Sequence, residues 1–435
     1  MERIIALSVL ICAVFSVCTY GGGFETAGIG ARQMNMGGAA IGLADDWTAL
    51  YWNPAGLAFL KGSQTGFDIR VSRMAQTADT SLRNVALGGG FNPGLGDFPI
   101  NPAGGWIGVE PSRYDEDAIS DNQLRPDIGW YKAFDSFTFG IGLYGSGGLG
   151  ADWEDTVSAA VGPDTIDAEY HTSVFVLNIP VGFAAKIGER QSFGLSLQFL
   201  YGSNSQDIKK NFNDLGSGLG DYTYKSTAGG SGTGIEVDLG YLVKLSDTLS
   251  IGALYRSHYV IRSKGDAEMG FDTIGYEDSD FTMTMIYPQR LGAGAAWKPL
   301  DNLTITGDLY WIHWTMMAIN FDYDDEGTFL SDRTVSDDLR NTLQLRLGCE
   351  FKQSEALAWR FGYYSDASPY PRDYASLVQA RFYHADVISA GMGYTNGNIS
   401  YNAMINYTFV KDRSGNDNEI GGSVENLALG MVISL

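Results

Sequence analysis

Long stretches of this chain alternate apolar and polar residues with a period of two. From Asn302, Leu303, Ile305, Gly307, Leu309 and Trp311 fall on one side, and Thr304, Thr306, Asp308 and Tyr310 on the other. From Asn341, Leu343, Leu345, Leu347, Cys349 and Phe351 oppose Thr342, Gln344, Arg346, Gly348 and Glu350. From Gln191, Phe193, Leu195, Leu197, Phe199 and Tyr201 oppose Gly194, Ser196 and Gln198. That period is a β-strand with one apolar and one polar face. A soluble sandwich shares it, so the charges decide. Glu236, Asp238, Arg256, Asp308, Arg346, Glu350 and Arg360 all fall on the polar face, often mid-strand. Such strands need a wet interior on one side and apolar surroundings on the other. A barrel with a polar lumen, set in lipid, supplies both.

The pattern predicts strands near 62–76, 125–133, 136–145, 168–187, 191–202, 233–245, 248–262, 280–297, 302–314, 341–352, 356–364, 384–395, 398–410 and 423–435. The fold class is therefore all-β, a transmembrane antiparallel barrel of about fourteen strands, an even number as expected. Short connections such as Phe134-Asp135, Ser246-Asp247 and the hairpin pair Asn396-Gly397 alternate with long ones at 77–124, 203–232, 263–279, 315–340 and 365–383. Short turns at one rim and long loops at the other are outer-membrane topology. Leu427, Leu429, Met431, Ile433 and Leu435 alternate to the last residue, as a closing strand must. An aromatic last residue, common in such barrels, is replaced here by Leu435.

Residues 1–20 read as a signal peptide, with Arg3 before an apolar run over 4–17 that is too short to span a bilayer comfortably. Cys18 is a lesser candidate for lipidation. Beyond that segment only Cys349 remains, so no intramolecular disulfide or cysteine metal site is expected. No later stretch reaches the roughly 18 apolar residues of a transmembrane helix. The net charge of -22 argues against nucleic acid as a partner. Acidic clusters, among them Asp115, Glu116 and Asp117, and Asp322, Asp324, Asp325 and Glu326, read as solvated loops. Divalent cations bridging lipopolysaccharide are a less specific use for them. His171, His258, His313 and His384 show no metal-ligand spacing. His384-Ala385-Asp386 hints at a hydrolase, but a triad requires a serine and an orienting acid in fixed geometry. No cofactor and no enzymatic activity are expected. The aromatics Trp311, Trp314, Tyr363, Tyr364, Tyr407 and Phe409 read mainly as membrane girdle.

Residues 21–61 break the alternation. They are rich in glycine and alanine, and irregular backbone of this kind cannot face lipid. A plug packed within the barrel suits the small residues better than a periplasmic arm. Here Gly30-Ala31-Arg32, Met36-Gly37-Gly38-Ala39, Leu43-Ala44-Asp45-Asp46 and Asn53-Pro54-Ala55-Gly56 resemble the hatch of FadL/TodX-type outer-membrane transporters. Phe139-Gly140-Ile141-Gly142 with Gly147-Gly148 and Trp153, Asp308-Leu309-Tyr310-Trp311-Ile312-His313-Trp314, and Arg360-Phe361-Gly362-Tyr363 with Ser368-Pro369-Tyr370-Pro371 extend the resemblance to the C-terminus.

After the signal peptide at 1–20, the resemblance implies a hatch at 21–61 marked by Asn53, Pro54, Ala55 and Gly56, and a fourteen-stranded barrel over 62–435. It implies passive uptake of hydrophobic molecules such as long-chain fatty acids or aromatic hydrocarbons. Capture would occur near 203–232 and 263–279, with an apolar pocket below and lateral exit through a gap at the third strand. Gly140, Gly142 and Gly145 would permit a kink or bulge there. Further partners implied are outer-membrane lipid, lipopolysaccharide and the outer-membrane assembly machinery. Fatty-acid carriers of this family place cations near the pocket. The candidates here are Lys209, Lys210, Arg256 and Arg340, and acids beside Arg256 and Arg340 favour a neutral hydrophobic ligand. The alternative reading is a scaffold or shuttle subunit of a protein secretion system, since barrels with a similar opening motif also serve there.

Overall fold

A computed structural model describes residues 27–80, 114–158, 165–213, 220–335, 339–369, 384–411, 413–415 and 418–435. The signal peptide and Cys18 lie outside them, as do most of the connection between 77 and 124 and the Tyr370-Pro371 pair. Nineteen strand segments form one sheet among the described residues. They are β1 (Ser63–Thr80), β2 (Tyr114–Ala133), β3 (Thr138–Ser158), β4 (Thr165–Lys186), β5 (Gln191–Asn213), β6 (Tyr222–Lys244), β7 (Leu249–Arg256), β8 (Tyr259–Phe271), β9 (Gly275–Tyr287), β10 (Arg290–Leu300), β11 (Leu303–Ile312), β12 (Ala318–Tyr323), β13 (Arg333–Val335), β14 (Thr342–Lys352), β15 (Leu357–Ala367), β16 (His384–Asn396), β17 (Ile399–Lys411), β18 (Arg413–Gly415) and β19 (Asn418–Ser434). They make a closed antiparallel barrel of fourteen staves. Five staves are each split in two: β7 with β8, β9 with β10, β11 with β12, β13 with β14, and β17 with β18. The seam is β1 against β19, from Gln64↔Ser434 to Thr80↔Asn418.

The sequence pattern expects continuous strands at 248–262 and 280–297, and both are interrupted. Pro288 between β9 and β10 brings no N–H to the ladder. The expected capture loops are also corrected. β5 and β6 pair from Gln191↔Val243 to Phe212↔Tyr222, and β8 and β9 from Tyr259↔Tyr287 to Phe271↔Gly275. Most of 203–232 and 263–279 is therefore strand; a short turn joins β8 to β9 at 272–274.

The inside and outside are reversed relative to a soluble protein. Phe199, Leu309, Leu343, Leu347, Phe361 and Leu429 are exposed on the outer face, while Asp68, Arg125, Asp238, Arg256, Asp308, Arg346 and Arg360 are buried on the inner one. Only an apolar solvent outside makes that arrangement stable.

The segment before β1 holds two short helices, α1 (Ala31–Asn35) and α2 (Ala49–Trp52), and a 3-10 turn over Pro54–Phe59. The helix α1 touches β15, β16, β17 and β19, whereas the 3-10 turn touches β2 to β6. One short segment can meet walls that far apart around the barrel only from within. It plugs the lumen at the end of the short turns.

Candidate transport path

The plug is seated by its own polar atoms and by wall glycines. Asn53 is wholly buried; its Nδ2 donates to Ile41 O at 2.9 Å and to Tyr241 O of β6 at 3.2 Å. Its Oδ1 accepts from Ala55 N at 3.1 Å, which caps the turn that Pro54 opens with its fixed φ. A Cβ on Gly56 would lie 2.1 Å from Ala44 O. On the wall, a Cβ on Gly240 would lie 2.1 Å from Asn53 Oδ1, and one on Gly66 1.8 Å from Trp47 Nε1. These positions need glycine because the hatch comes that close.

Charged wall residues grip the same segment. Asp308 accepts from Ala40 N at 2.7 Å and Ile41 N at 2.8 Å, and Asp68 from Ala31 N at 3.1 Å. Arg70 and Arg125 both donate to Gly28 O, at 3.0 and 3.1 Å, and Arg346 donates to Gly37 O at 3.1 Å. Arg32 of the hatch pairs with Asp45 and, at 3.2 Å, with Glu350 of β14, which also pairs with Arg360 at 2.6 Å. A polar cavity of about 270 Å³ opens beside this cluster.

Above the hatch the inner face turns apolar. Val176, Leu200, Ile261, Met283, Met285 and Trp314 are buried there in one cluster that also holds Trp47, Leu50 and Tyr51 of the hatch. Methionine thioethers adapt to ligand shape more readily than branched side chains.

Beside that cluster one ladder of the wall is short. β2 and β3 pair from Ala133↔Thr138 to Ile128↔Leu143, and among the described residues the pairing stops there. β3 goes on pairing with β4 as far as Ser158↔Thr165, with a bulge between Gly145 and Gly147. Gly145 thus lies at the irregularity. Gly140 and Gly142 lie below it in paired strand, where Cβ atoms would approach Leu50 Cδ2 and Ile128 O respectively at 3.0 Å. Tyr144 follows the last β2–β3 pair, wholly buried, edge-on to Tyr51 and donating to Gln198 Oε1 at 2.9 Å.

The four candidate cations separate. Lys209 points outward and pairs with Glu169 at 3.2 Å. Arg340 is exposed, with Nε and Nη2 each 3.4 Å from Ser368 O. Arg256 is buried, 3.8 Å from Asp238, donates to Tyr51 O and lies 4.0 Å over the Tyr51 ring. Its work is to hold the hatch. Lys210 alone of the four reaches the apolar interior, with its Nζ 5.8 Å from the Tyr224 ring centre. Arg333, unnoticed in the sequence, lies opposite Phe321 on β12, 4.9 Å over its ring, and donates to Tyr323 OH at 3.4 Å. It sits in a segment that reads as acidic loop, so only the β12–β13 pairing reveals which way it faces.

The His384 hint also resolves. Ser365 Oγ and Asp386 Oδ1 both meet the same ring atom, His384 Nε2, at 3.0 and 3.1 Å. A triad imidazole is held through one nitrogen and accepts a proton through the other. This trio does neither separately.

Residues 12–430 match the family model described as outer membrane protein transport protein (OMPP1/FadL/TodX). The chain belongs to this family. The transporter is thus an outer-membrane β-barrel of a family that carries hydrophobic compounds. Among solved structures it is similar to a Pseudomonas aeruginosa FadL homologue, with 14% identity and a TM-score of 0.74, over 95% of this chain and 100% of that one. It is also similar to the Pseudomonas putida toluene transporter TodX, with 16% identity and a TM-score of 0.64, over 95% and 100%. For the Ralstonia pickettii toluene transporter TbuX the values are 15%, 0.61, 94% and 99%. At these identities the likeness concerns the fold. A comparison with curated proteins finds no match.

Proposed function

We propose that the transporter takes up small hydrophobic molecules passively, holds them in the apolar chamber above the hatch, and releases them sideways into the outer membrane between β2 and β3. The observation that carries this reading is the coincidence of three features at Tyr144. The β2–β3 pairing ends just below it, the apolar cluster surrounds it, and hatch residue Tyr51 floors it. A ligand blocked below by a hatch whose polar atoms are engaged with the wall has its easiest exit through the unpaired edge. The solved TodX and TbuX are toluene transporters by name, which suits a neutral hydrophobic cargo. The outer apolar band would contact lipid and, at the outer rim, lipopolysaccharide. Insertion would rely on the outer-membrane assembly machinery.

Cysteines at Asp127 and Tyr144, the pair that would come next in the β2–β3 register, should close the opening when oxidised. In a Cys349→Ser background, oxidised proteoliposomes should take up a labelled alkylbenzene several-fold more slowly than reduced ones. Equal rates in both states would remove lateral exit from the reading.

A further inference from the structure

Asn178 on β4 is wholly buried, and neither Oδ1 nor Nδ2 has a hydrogen-bond partner among the described residues. Gln206 on β5 is 4% exposed, and its Oε1 and Nε2 are likewise unpartnered among those residues. Asn204, two residues before it, leaves Oδ1 unpartnered in the same sense. All three lie on the buried inner face of their strands. Asn178 is level with Leu200 and stands between Tyr144 and Leu200 in the sheet. From that level, Asn204 and Gln206 lie roughly 13 and 20 Å further towards the outer turns, at the rise of a strand. The amides therefore mark a line on the inner wall from the mouth to the β2–β3 opening.

Folded proteins almost always satisfy buried amide atoms, so a line of unsatisfied ones calls for a partner that enters. At Asn178 and Gln206 both atoms of each amide are unpartnered, so the conclusion does not depend on which is oxygen and which nitrogen. A hydrocarbon satisfies neither atom. A carboxylate accepts from the amide nitrogen but sets negative charge against the carbonyl oxygen. A hydroxyl donates to the oxygen and accepts from the nitrogen. Charges on the wall nearer the hatch offer a carboxylate little, since Arg256 and Arg346 are already engaged with Asp238, Tyr51 and Gly37.

We propose that the chamber selects hydrophobic molecules bearing a neutral hydroxyl, phenols or alkyl alcohols, whose hydroxyl is passed along Gln206, Asn204 and Asn178. The proposal rests on the uptake reading and narrows its substrate class.

The test is a matched series of butylbenzene, para-butylphenol and para-butylbenzoate, titrated calorimetrically against the full mature protein in lipid nanodiscs. The phenol should bind about tenfold tighter than the hydrocarbon, as one or two neutral hydrogen bonds allow. Asn178→Leu should bring the phenol down to the hydrocarbon and leave the hydrocarbon unchanged. Gln206→Leu serves as a second variant should the first fail to fold. Equal binding of phenol and hydrocarbon overturns the proposal while leaving uptake intact. So does a preference that survives both substitutions, which would assign the amides to bound water. Tightest binding of the benzoate, abolished by Lys210→Met, would assign the site to carboxylates instead. If none of the three binds, the uptake reading falls together with the proposal.

Discussion

Towards the short turns, the inner wall is built of Asp68, Arg125, Asp308, Arg346, Glu350 and Arg360, bound to the hatch or to one another. Towards the opposite rim, the inner wall presents Met283, Met285, Phe281, Phe321 and Tyr323, with aromatic contacts and, among the described residues, unpartnered amides. The lower half is a joint. Its charges have fixed partners, its glycines fit particular hatch atoms, and there is little freedom to repack. The upper half is a chamber whose apolar groups tolerate a changing occupant. One strand serves both purposes because alternation fixes only which side faces in. The residue placed there decides whether that level grips or accommodates.

If the lower half is a joint, removing the hatch should have the largest effect of any change. Deleting residues 27–60 should leave an assembled barrel with a water-filled lumen. Conductance in planar bilayers should rise from the intact protein's low level to that of an open pore, without selectivity for hydrophobic solutes. Conductance unchanged by the deletion would mean that the segment does not seal the lumen.

Breaking a single grip should cost less. Arg360→Met leaves Glu350 facing one cation in place of two, and removing one partner of a buried pair typically costs about 3–5 kcal/mol. Urea unfolding in detergent should show a loss of that order. The double variant Arg360→Met with Glu350→Gln should recover part of it, because the uncompensated charge has gone. Equal losses in the single and double variants would show that the pair is not coupled and that the joint depends on packing alone.

Much of this division is visible in the sequence, but unevenly. Charged residues at alternate positions reveal the lower wall, and Asn53-Pro54-Ala55-Gly56 reveals a tight turn in the hatch, because each signal is local. The upper half hides itself. In β6, Ser226-Thr227-Ala228-Gly229-Gly230-Ser231-Gly232 carries no apolar alternation, so strand extension there reads as loop, although it pairs along its length with β5 and β8. Arg333 and Asn178 become candidates only when the register shows what lies across from them. Gly66 and Gly240 look like ordinary strand glycines until Trp47 and Asn53 are seen against them. Contacts between distant segments carry that information, and a single sequence does not display it.

The smallest expected effect belongs to the mouth, where the chamber meets solvent. β10 alone is long enough to cross the membrane, so Glu277 near the start of β9 stands in the extracellular extension. Its carboxylate accepts from the backbone N–H groups of Thr328 at 2.8 Å, Phe329 at 2.8 Å and Leu330 at 3.2 Å. That straps residues 328–330 to β9, with Leu330 wholly buried and the Phe329 ring 5.9 Å from the Phe271 ring. Burial pushes the Glu277 carboxyl up, but the three N–H donors outweigh it and hold the group below the usual carboxylate range. A depressed value means that the stabilisation is complete above the unfolded carboxylate's range and is lost as pH falls through the lowered one. Amide exchange at Thr328, Phe329 and Leu330 should therefore stay slow at neutral pH and quicken only in acid, below the point where an ordinary glutamate protonates. In Glu277→Gln the same amides should exchange faster at neutral pH and show no acid step, while amides of the hatch stay unchanged. An acid step that persists in Glu277→Gln would assign it to neighbouring carboxylates such as Asp332, and the strap would then have no single anchor.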